Sequence, residues 1–372
     1  MSRKTIAIFG ATSYLGKYVL EKLLNLGYQV TAIVRETSMS PIFLGEYDGQ
    51  IDVVKAESVI NEGKRSFDAV INLAYIKYSQ AHQIYSQNRK LISAVHDVAQ
   101  KNCCERVIHI STQAVFGYRF YKTPEPRAVP WKSSDSYIES KIHAEHYLGK
   151  LARKGSYALS ILRLGNIIGP GAPNWIAGLA QRIFECKPVG FIEGFGYSNA
   201  TYVHNIADYI IYLIEVPTKD LTKFGTFHHL AEFSDHSWEQ IIKSISRTIG
   251  RDYTQSYRLL PKKWSPQAIV ISNLLARQNA LGGYVRLVLD VLNDVGLADD
   301  VVDSIKTLKI ILGDPKTYPG PIEDESFLDI LTEHHRFISH TLPLWHAPVP
   351  FSEALSSIEE WVRMAGYVIN RS

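Results

Sequence analysis

FGATSYLG, Phe9–Gly16, decides the fold, because it joins two segments of different period. Before it, Thr5–Phe9 (TIAIF) is a short apolar run of the kind that forms a buried strand. After it, Leu15, Val19, Leu23 and Leu26 recur at helical spacing, which predicts a helix over Leu15–Leu26. Gln29–Val34 (QVTAIV) reads as the next strand, so the three pieces make one βαβ unit. In such a unit the turn offers backbone N–H groups and the positive end of a helix to the pyrophosphate of a dinucleotide. Gly10 permits the tight turn and Gly16 the close packing of helix on sheet. Ser13 stands where a GxxGxxG loop carries glycine; it is small and adds a hydroxyl.

The pattern continues outward. Ala69–Leu73 and Val107–Ser111 read as buried strands separated by a helical stretch from about Ser79 to Gln100. Asp135–Arg153 reads as a helix and Ser160–Leu164 as a strand. Alternation of this kind predicts an α/β fold, a Rossmann-type doubly wound parallel sheet. Beyond it come the Gly/Pro-rich connection GNIIGPGAPNW, a helical pattern over Trp175–Phe184, a Gly-rich stretch at Gly190–Gly196 and the segment Thr201–Glu215. From Trp238 onward the pattern is mostly helical, with apolar faces repeated through Pro266–Leu312. The expected division is an NAD(P)-binding domain of residues 1–165 plus about 201–232. A smaller, mostly helical C-terminal substrate lobe takes about 166–200 plus 233–372.

Composition narrows the function. Of 372 residues 46% are apolar and 21% charged, as in an ordinary folded enzyme. The net charge is +3 with the cations scattered, which gives nucleic acid or an anionic membrane no footprint. Cys103, Cys104 and Cys186 form neither a disulfide framework nor a metal spacing, and fit a reducing compartment. The start, MSRKTIAIFG, has too short an apolar run for a signal peptide, and Leu164–Gln181, free of charge, is interrupted by glycine and proline. A cytoplasmic protein without a membrane span is expected. His204, His228, His229, His334, His335, His340 and His346 lack HExxH or paired-carboxylate spacing, so no metal is expected.

Two further features carry chemistry. The second strand ends Ile33-Val34-Arg35, with no acid to bind a ribose 2′-hydroxyl and an arginine suited to a 2′-phosphate; this favours NADP, with NAD possible because Glu36 follows. Tyr137 and Lys141, in SYIESK, are one helical turn apart on the same face. An ammonium beside a phenol stabilises the phenolate, which makes proton exchange with a carbonyl or alcohol feasible near neutral pH. The preceding strand ends in Ser111 and Thr112, whose hydroxyls are placed to bond the same reacting oxygen.

In this order and spacing the pieces resemble the extended short-chain dehydrogenase/reductase family, the NAD(P)-dependent epimerase/dehydratase group. The resemblance runs through FGATSYLG, DAVINLAY (Asp68–Tyr75), Asn88, ISTQAVFG (Ile110–Gly117), SYIESK, LRLGNIIGPG (Leu162–Gly171) and TYVHNIAD (Thr201–Asp208). It covers residues 5 to about 250, with PFSEALSSIEEW similar to the family's last helix; residues 255–345 match poorly. The resemblance implies that Tyr137 is the acid/base, that Lys141 lowers its pKa and holds the nicotinamide ribose, and that Thr112 is the catalytic hydroxyl, with Ser111 structural. It implies cofactor contacts at Gly10, Ser13, Tyr14, Leu15, Gly16, Leu73, Ala74, Tyr75 and Asn88, and substrate contacts at Gln113 and Asn166. Homodimers through a two-helix face are common in the family.

Departures shape the expected reaction. Gln113 and Ala114 stand where sugar-nucleotide dehydratases carry the Asp and Glu that move protons during elimination, which argues against that reaction. Ala200 occupies the place of an arginine that clamps diphosphate in nucleotide-sugar members, leaving Arg182, Lys187 or Arg258 as substitutes. Asn205 replaces the acid of the same element, with Asp208 nearby. The leading expectation is an NADP(H)-dependent oxidoreductase acting at a carbonyl/alcohol carbon. The alternatives are a nucleotide-sugar epimerase with tightly bound NAD(P), and a dinucleotide-binding sensor without catalysis.

Overall fold

The computed structural model describes residues 4–34, 45, 47–63, 65–76, 81–116, 135–187, 189–191, 195–258 and 336–368. Their main element is a seven-stranded sheet of β1 (Thr5–Phe9), β2 (Gln29–Val34), β3 (Ile51–Lys55), β4 (Ala69–Asn72), β5 (Arg106–Thr112), β6 (Ala158–Leu164) and β10 (Phe227–Leu230). The strand order is β10-β6-β5-β4-β1-β2-β3 and every neighbouring pair is parallel. The chain winds outward from β1 to β3, then returns to β4 on the other side of β1. The C-terminal ends of β1 and β4 therefore flank the point where the winding reverses, the crevice in which such sheets bind ligands.

Both faces of the sheet are buried, which is why its strands are almost uniformly apolar. On one face α1 (Tyr14–Asn25) sets Leu15, Val19, Leu20 and Leu23 against Ile6, Ile8, Ile108, Ile110 and Leu162, with α6 (Val203–Glu215) alongside. On the other, α2 (Ala56–Glu62), α3 (Ala81–Lys101) and α4 (Ser136–Ala152) bury Val59, Ile92, Val95 and Leu148 on Ala7, Phe9, Val70 and Val107. The doubly wound architecture expected from the sequence is present.

Three local differences have physical causes. β3 was not foreseen: Asp52, Val53 and Lys55 are exposed, so this outer strand carries little apolar signal. The segment Thr201–Glu215 divides into β9 (Ala200–Tyr202), parallel to β7 (Asn166–Ile168), and then α6. Its division is hidden in the sequence because apolar residues run through both halves. Trp175–Phe184 begins as a wide turn over Pro173–Ala177, in which Ala177 N–H bonds back to Ala172 at 2.9 Å, and becomes the regular helix α5 only from Gly178 to Phe184. A short parallel pair, β8 (Gly190–Phe191) and β11 (Tyr257–Arg258), lies outside the main sheet.

After β10 the chain forms α8 (Trp238–Ile249), and residues 336–349 later return as a strap along α6 and β10. Phe337 N–H donates to Asn199 Oδ1 (2.9 Å), His340 exchanges backbone bonds with His229 (2.8 and 3.0 Å), and Trp345 Nε1 donates to Asp208 (3.0 Å). Asn205 closes the strap by bonding both backbone groups of Val349 (2.9 and 3.0 Å). This is the work of the asparagine at the position where the resemblance implies an acid. The strap leads into α9 (Phe351–Met364), whose Ala354, Ile358 and Val362 share a core with Trp238, Ile241 and Ile245 of α8. A short helix α7 (Thr218–Phe224) precedes β10. The helical pattern noted over Pro266–Leu312 lies outside the described residues.

Candidate functional site

The phosphate-type turn is defined by close backbone approach. Gly10 has φ +83°, and a Cβ there would lie 2.8 Å from Ala74 N and 3.0 Å from Leu73 C. Residues 73 and 74, leaving β4, thus pass directly over the turn that leaves β1. A Cβ on Gly16 would fall 2.1 Å from the Gly10 carbonyl, so α1 is seated on its own turn. Ser13 needs no glycine: its backbone is extended (φ −71°, ψ 164°), and its Oγ accepts from Gly16 N–H at 3.0 Å as the N-cap of α1. Leu15 is buried in the core, which leaves its backbone for any ligand contact. The Tyr14 hydroxyl donates to Pro170 carbonyl (3.2 Å), joined by Tyr18 (3.1 Å), so Tyr14 ties the turn to the Gly169–Gly171 loop. Burial pushes the Tyr14 phenol far above its ordinary pKa.

The neighbouring loop, Leu73–Ile76, is held by two asparagines. Asn72 Oδ1 accepts from Ala74 N–H (3.1 Å), and its amide donates to His109 Nδ1 (2.9 Å). Asn88, on α3, accepts from Ile76 N–H (3.1 Å) and donates to the carbonyls of Ile76 and Ile84 (2.9 Å each). Its amide is thereby engaged by the protein, and its influence on a dinucleotide passes through the loop it shapes. His109, fully buried, is pulled down to about 3 by desolvation and is neutral.

The Tyr/Lys pair lies on the first turns of α4, which Asp135 caps by accepting from Tyr137 N–H (2.7 Å) and Ile138 N–H (3.2 Å). Tyr137 is 39% exposed, whereas Lys141 is 7% exposed and donates from Nζ to the Ile110 carbonyl of β5 at 3.1 Å. Burial draws the Lys141 amine down to about 8, against the opposing pull of the Glu145 charge. Tyr75 stands between them: its ring meets Tyr137 edge to face at 5.0 Å, and Lys141 Nζ lies 5.2 Å from its centroid and 5.9 Å from that of Tyr137. The sequence reading placed only the backbone of residue 75 at a cofactor. An aromatic three residues past the end of a buried strand, in NLAY, was the available signal for the ring.

Thr112 is the last residue of β5, two beyond the carbonyl that holds Lys141, and its Oγ1 accepts from Ala114 N–H at 3.2 Å. Gln113 follows in a tight turn, 2% exposed, and both atoms of its side-chain amide are buried without a hydrogen-bond partner among the described residues. Asn166 opens β7; its amide donates to the Ser198 carbonyl (2.7 Å) and its N–H to Asn199 (2.9 Å), anchoring it toward the lobe. Ala200, at the place of the expected arginine clamp, is fully buried in β9, and Lys187 pairs with Glu185 at 2.7 Å. Arg35, on which the NADP expectation rests, lies outside the described residues.

Beneath the pair is a charged layer that the sequence reading missed. Glu145 accepts from Ser111 Oγ (2.5 Å), Arg163 Nε (3.0 Å) and Arg163 Nη2 (2.6 Å), with Glu145 and Arg163 both buried. Its signal was the spacing 137-141-145, which puts Tyr, Lys and Glu on successive turns of one helix face. Ser111 faces this layer, while Thr112 ends the strand above it.

The backbone cradle at Gly10 and Gly16, set at the winding reversal, fits a dinucleotide: a side chain at Gly10 would collide with Leu73 and Ala74, and one at Gly16 with the carbonyls of Gly10 and Ala11. Among the described residues no group of three or more His, Cys, Asp or Glu could hold a metal ion, and no helix is long and apolar enough to cross a membrane.

The model of the NAD dependent epimerase/dehydratase family matches residues 6–222. The dTDP-6-deoxy-L-talose 4-dehydrogenase (NAD(P)(+)) of Kitasatospora kifunensis is 24% identical over 176 residues, 45% of this chain and 54% of that protein. The chain thus matches about half the length of that relative. In fold it is similar to UDP-glucose 4-epimerase from Thermotoga maritima, at TM-score 0.64 and 15% identity over 97% of this chain and 99% of that one. It is also similar to UDP-glucuronic acid 4-epimerase from Bacillus cereus in complex with NAD, at TM-score 0.57 and 18% identity over 69% and 86% of the two chains.

Proposed function

The chain belongs to the NAD dependent epimerase/dehydratase family, an NAD(P)-dependent group of enzymes, and on that premise we propose that it is an NADP(H)-dependent oxidoreductase acting at a carbonyl/alcohol carbon. The observation that carries the proposal is the half-exposed Tyr137 set one turn before a buried Lys141, at the open end of β5. In the oxidative direction Tyr137 takes the proton of the substrate hydroxyl as the C=O bond forms; in reduction it returns one to the carbonyl oxygen. Thr112 donates to the same oxygen, and Lys141 stabilises the phenolate and holds the nicotinamide ribose. When bound, the nicotinamide exchanges a hydride with the substrate carbon. Gln113 and Asn166 are the proposed substrate contacts, and Gln113, an amide, cannot deliver the proton that expulsion of a hydroxyl requires. The lobe of about 166–200 plus 233–372 is proposed to shape the substrate site over a dinucleotide domain of 1–165 plus about 201–232, in a cytoplasmic protein.

The dehydrogenase name of the Kitasatospora relative supports net redox chemistry, and its dTDP-linked substrate supports a nucleotide-sugar alcohol as the first class to test. The test is absorbance at 340 nm with NADP+ or NADPH and a panel of nucleotide-linked and free ketones and alcohols. A stoichiometric change supports the proposal; isomeric products without net change assign an epimerase instead. Tyr137→Phe is expected to lower turnover by about 10²–10⁴-fold with dinucleotide binding kept. Cofactor choice rests on Arg35: NADPH is expected to bind more tightly than NADH, and Arg35→Ala to remove the difference. Equal wild-type affinities would remove the NADP assignment.

A further inference from the structure

The reading of Tyr137 and Lys141 leaves unexplained why a complete ion pair is buried one helical turn away. Taking charges out of water costs several kcal/mol per ion, and an ion pair is seldom worth more than an apolar replacement of the same volume. Here the pair is also not isolated. In register across the sheet, Ser111 of β5 lies beside Arg163 of β6, and Arg163 beside His229 of β10, which in turn bridges His340 of the strap. Residues in register on parallel strands point to the same face. The result is a polar row across three adjacent strands and the strap, one residue short of Thr112. Glu145 reaches down from α4 onto this row and bonds two of its members, Ser111 and Arg163. Arg163 is further boxed by the rings of Phe116 (4.7 Å) and Phe227 (4.2 Å).

We infer that Glu145 is a positioning residue of the site: its carboxylate pins the helix that carries Tyr137 and Lys141 to the strand that carries Thr112, and supplies the buried counter-charge of the Lys141 ammonium. The inference rests on the proposed reading of Lys141 as the residue that holds the nicotinamide ribose. Two observations carry it. The carboxylate joins α4, β5 and β6 in one cluster, so the spacing of the proposed catalytic groups depends on it. Lys141 and Glu145 are both buried one turn apart on the same face of α4, and the amine's hydrogen bond goes to the neutral Ile110 carbonyl. The groups around its amine are Glu145 and Tyr137 on its own helix, His109 on β5 and Tyr75 on the loop after β4. Only Glu145 among these is an acid of carboxylate strength, and His109 is held neutral by burial. Around Glu145 itself stand Ser111 and Arg163, with His229 and His340 further along the row; both histidines are lowered by desolvation and stay neutral above pH 7.

The test needs no substrate. NADPH is the probe, its binding followed by fluorescence between pH 7 and 10, with every variant made in a Tyr137→Phe background so that the phenol does not titrate. Affinity should fall as Lys141 loses its proton, near pH 8. Glu145→Gln should move that fall downward by roughly one pH unit, since a nearby opposite charge shifts a pKa by about 1–3 units. Glu145→Asp should restore the original position. Should Glu145→Gln alone fail to fold, Glu145→Gln with Arg163→Gln replaces the ion pair by two amides and should still move the fall, by less. A uniform loss of affinity with the pH profile unmoved would overturn the inference and leave Glu145 a purely structural residue. Lys141→Met separates the two layers of the argument. If it abolishes the fall while Glu145→Gln leaves it in place, the inference fails and the reading of Lys141 stands; if the fall persists without Lys141, that reading fails and takes the inference with it.

Discussion

The turn at Gly10–Gly16 and the layer under Lys141 are built on opposite principles. The turn is made of backbone and omission: two positions lack side chains because atoms of Leu73, Ala74 and residue 10 itself occupy their places, and the Ser13 hydroxyl is turned back onto the helix. The layer under Lys141 is made of long charged side chains drawn from β6 and α4, with their donors and acceptors matched inside the protein. The first can be read locally, because a glycine's necessity is visible in its neighbours along the chain. The second depends on partners far apart in sequence. It follows that a small change in the turn acts by steric collision, whereas a change in the layer acts by leaving a charge behind.

That contrast can be broken or sharpened by mutation. The largest effect is expected from Arg163→Ala, which strands the Glu145 carboxylate in the interior: a loss of about 3–5 kcal/mol in denaturant unfolding. A loss below about 1 kcal/mol would mean that water or a rearranged partner replaces the guanidinium, and the layer would be no different in kind from a surface pair. Gly16→Ala comes next, at about 1–3 kcal/mol from overpacking against the Gly10 carbonyl, accompanied by loss of NADPH binding in a fluorescence titration. Stability lost with affinity intact would separate the cradle from the cofactor. The smallest and most discriminating effect concerns Ser13. Loss of the cap in Ser13→Ala should cost about 1 kcal/mol by thermal melting, and Ser13→Gly only a few tenths. If Ser13→Gly instead bound NADPH much more tightly, the serine would be a hindrance to the dinucleotide rather than a cap.

The same contrast explains what the sequence revealed. β1 and β2 were read to the residue and α1 to within one, since Gly10 and Gly27, both at positive φ, punctuate an otherwise regular pattern. Tyr137 and Lys141 were legible because they share one helix, and a helix fixes which residues face together. β3 was not, being short and largely exposed, nor was the break between Tyr202 and Val203, where strand and helix are equally apolar. The ring of Tyr75 and the carboxylate of Glu145 escaped for a different reason. Each had a local signal, in NLAY and in the spacing 137-141-145, but its role arises from which strands lie side by side, and strand order is not a property of any local stretch. Asn205 shows the intermediate case. Its departure from the family's acid was visible in the sequence, but its use as a clamp on Val349 required the fold.

The bridge between His229 and His340 has one more consequence. A sheet's outermost strands expose unpaired backbone groups that can recruit another chain and start aggregation. At β10 the strap occupies part of that ladder through reciprocal bonds of 2.8 and 3.0 Å. At the opposite margin β3 is five residues long and carries Asp52 and Lys55, charges that discourage the addition of a further strand. One margin is thus shielded by the protein's own C-terminal segment and the other by charge, so loosening the strap should show itself as self-association before it shows itself as unfolding.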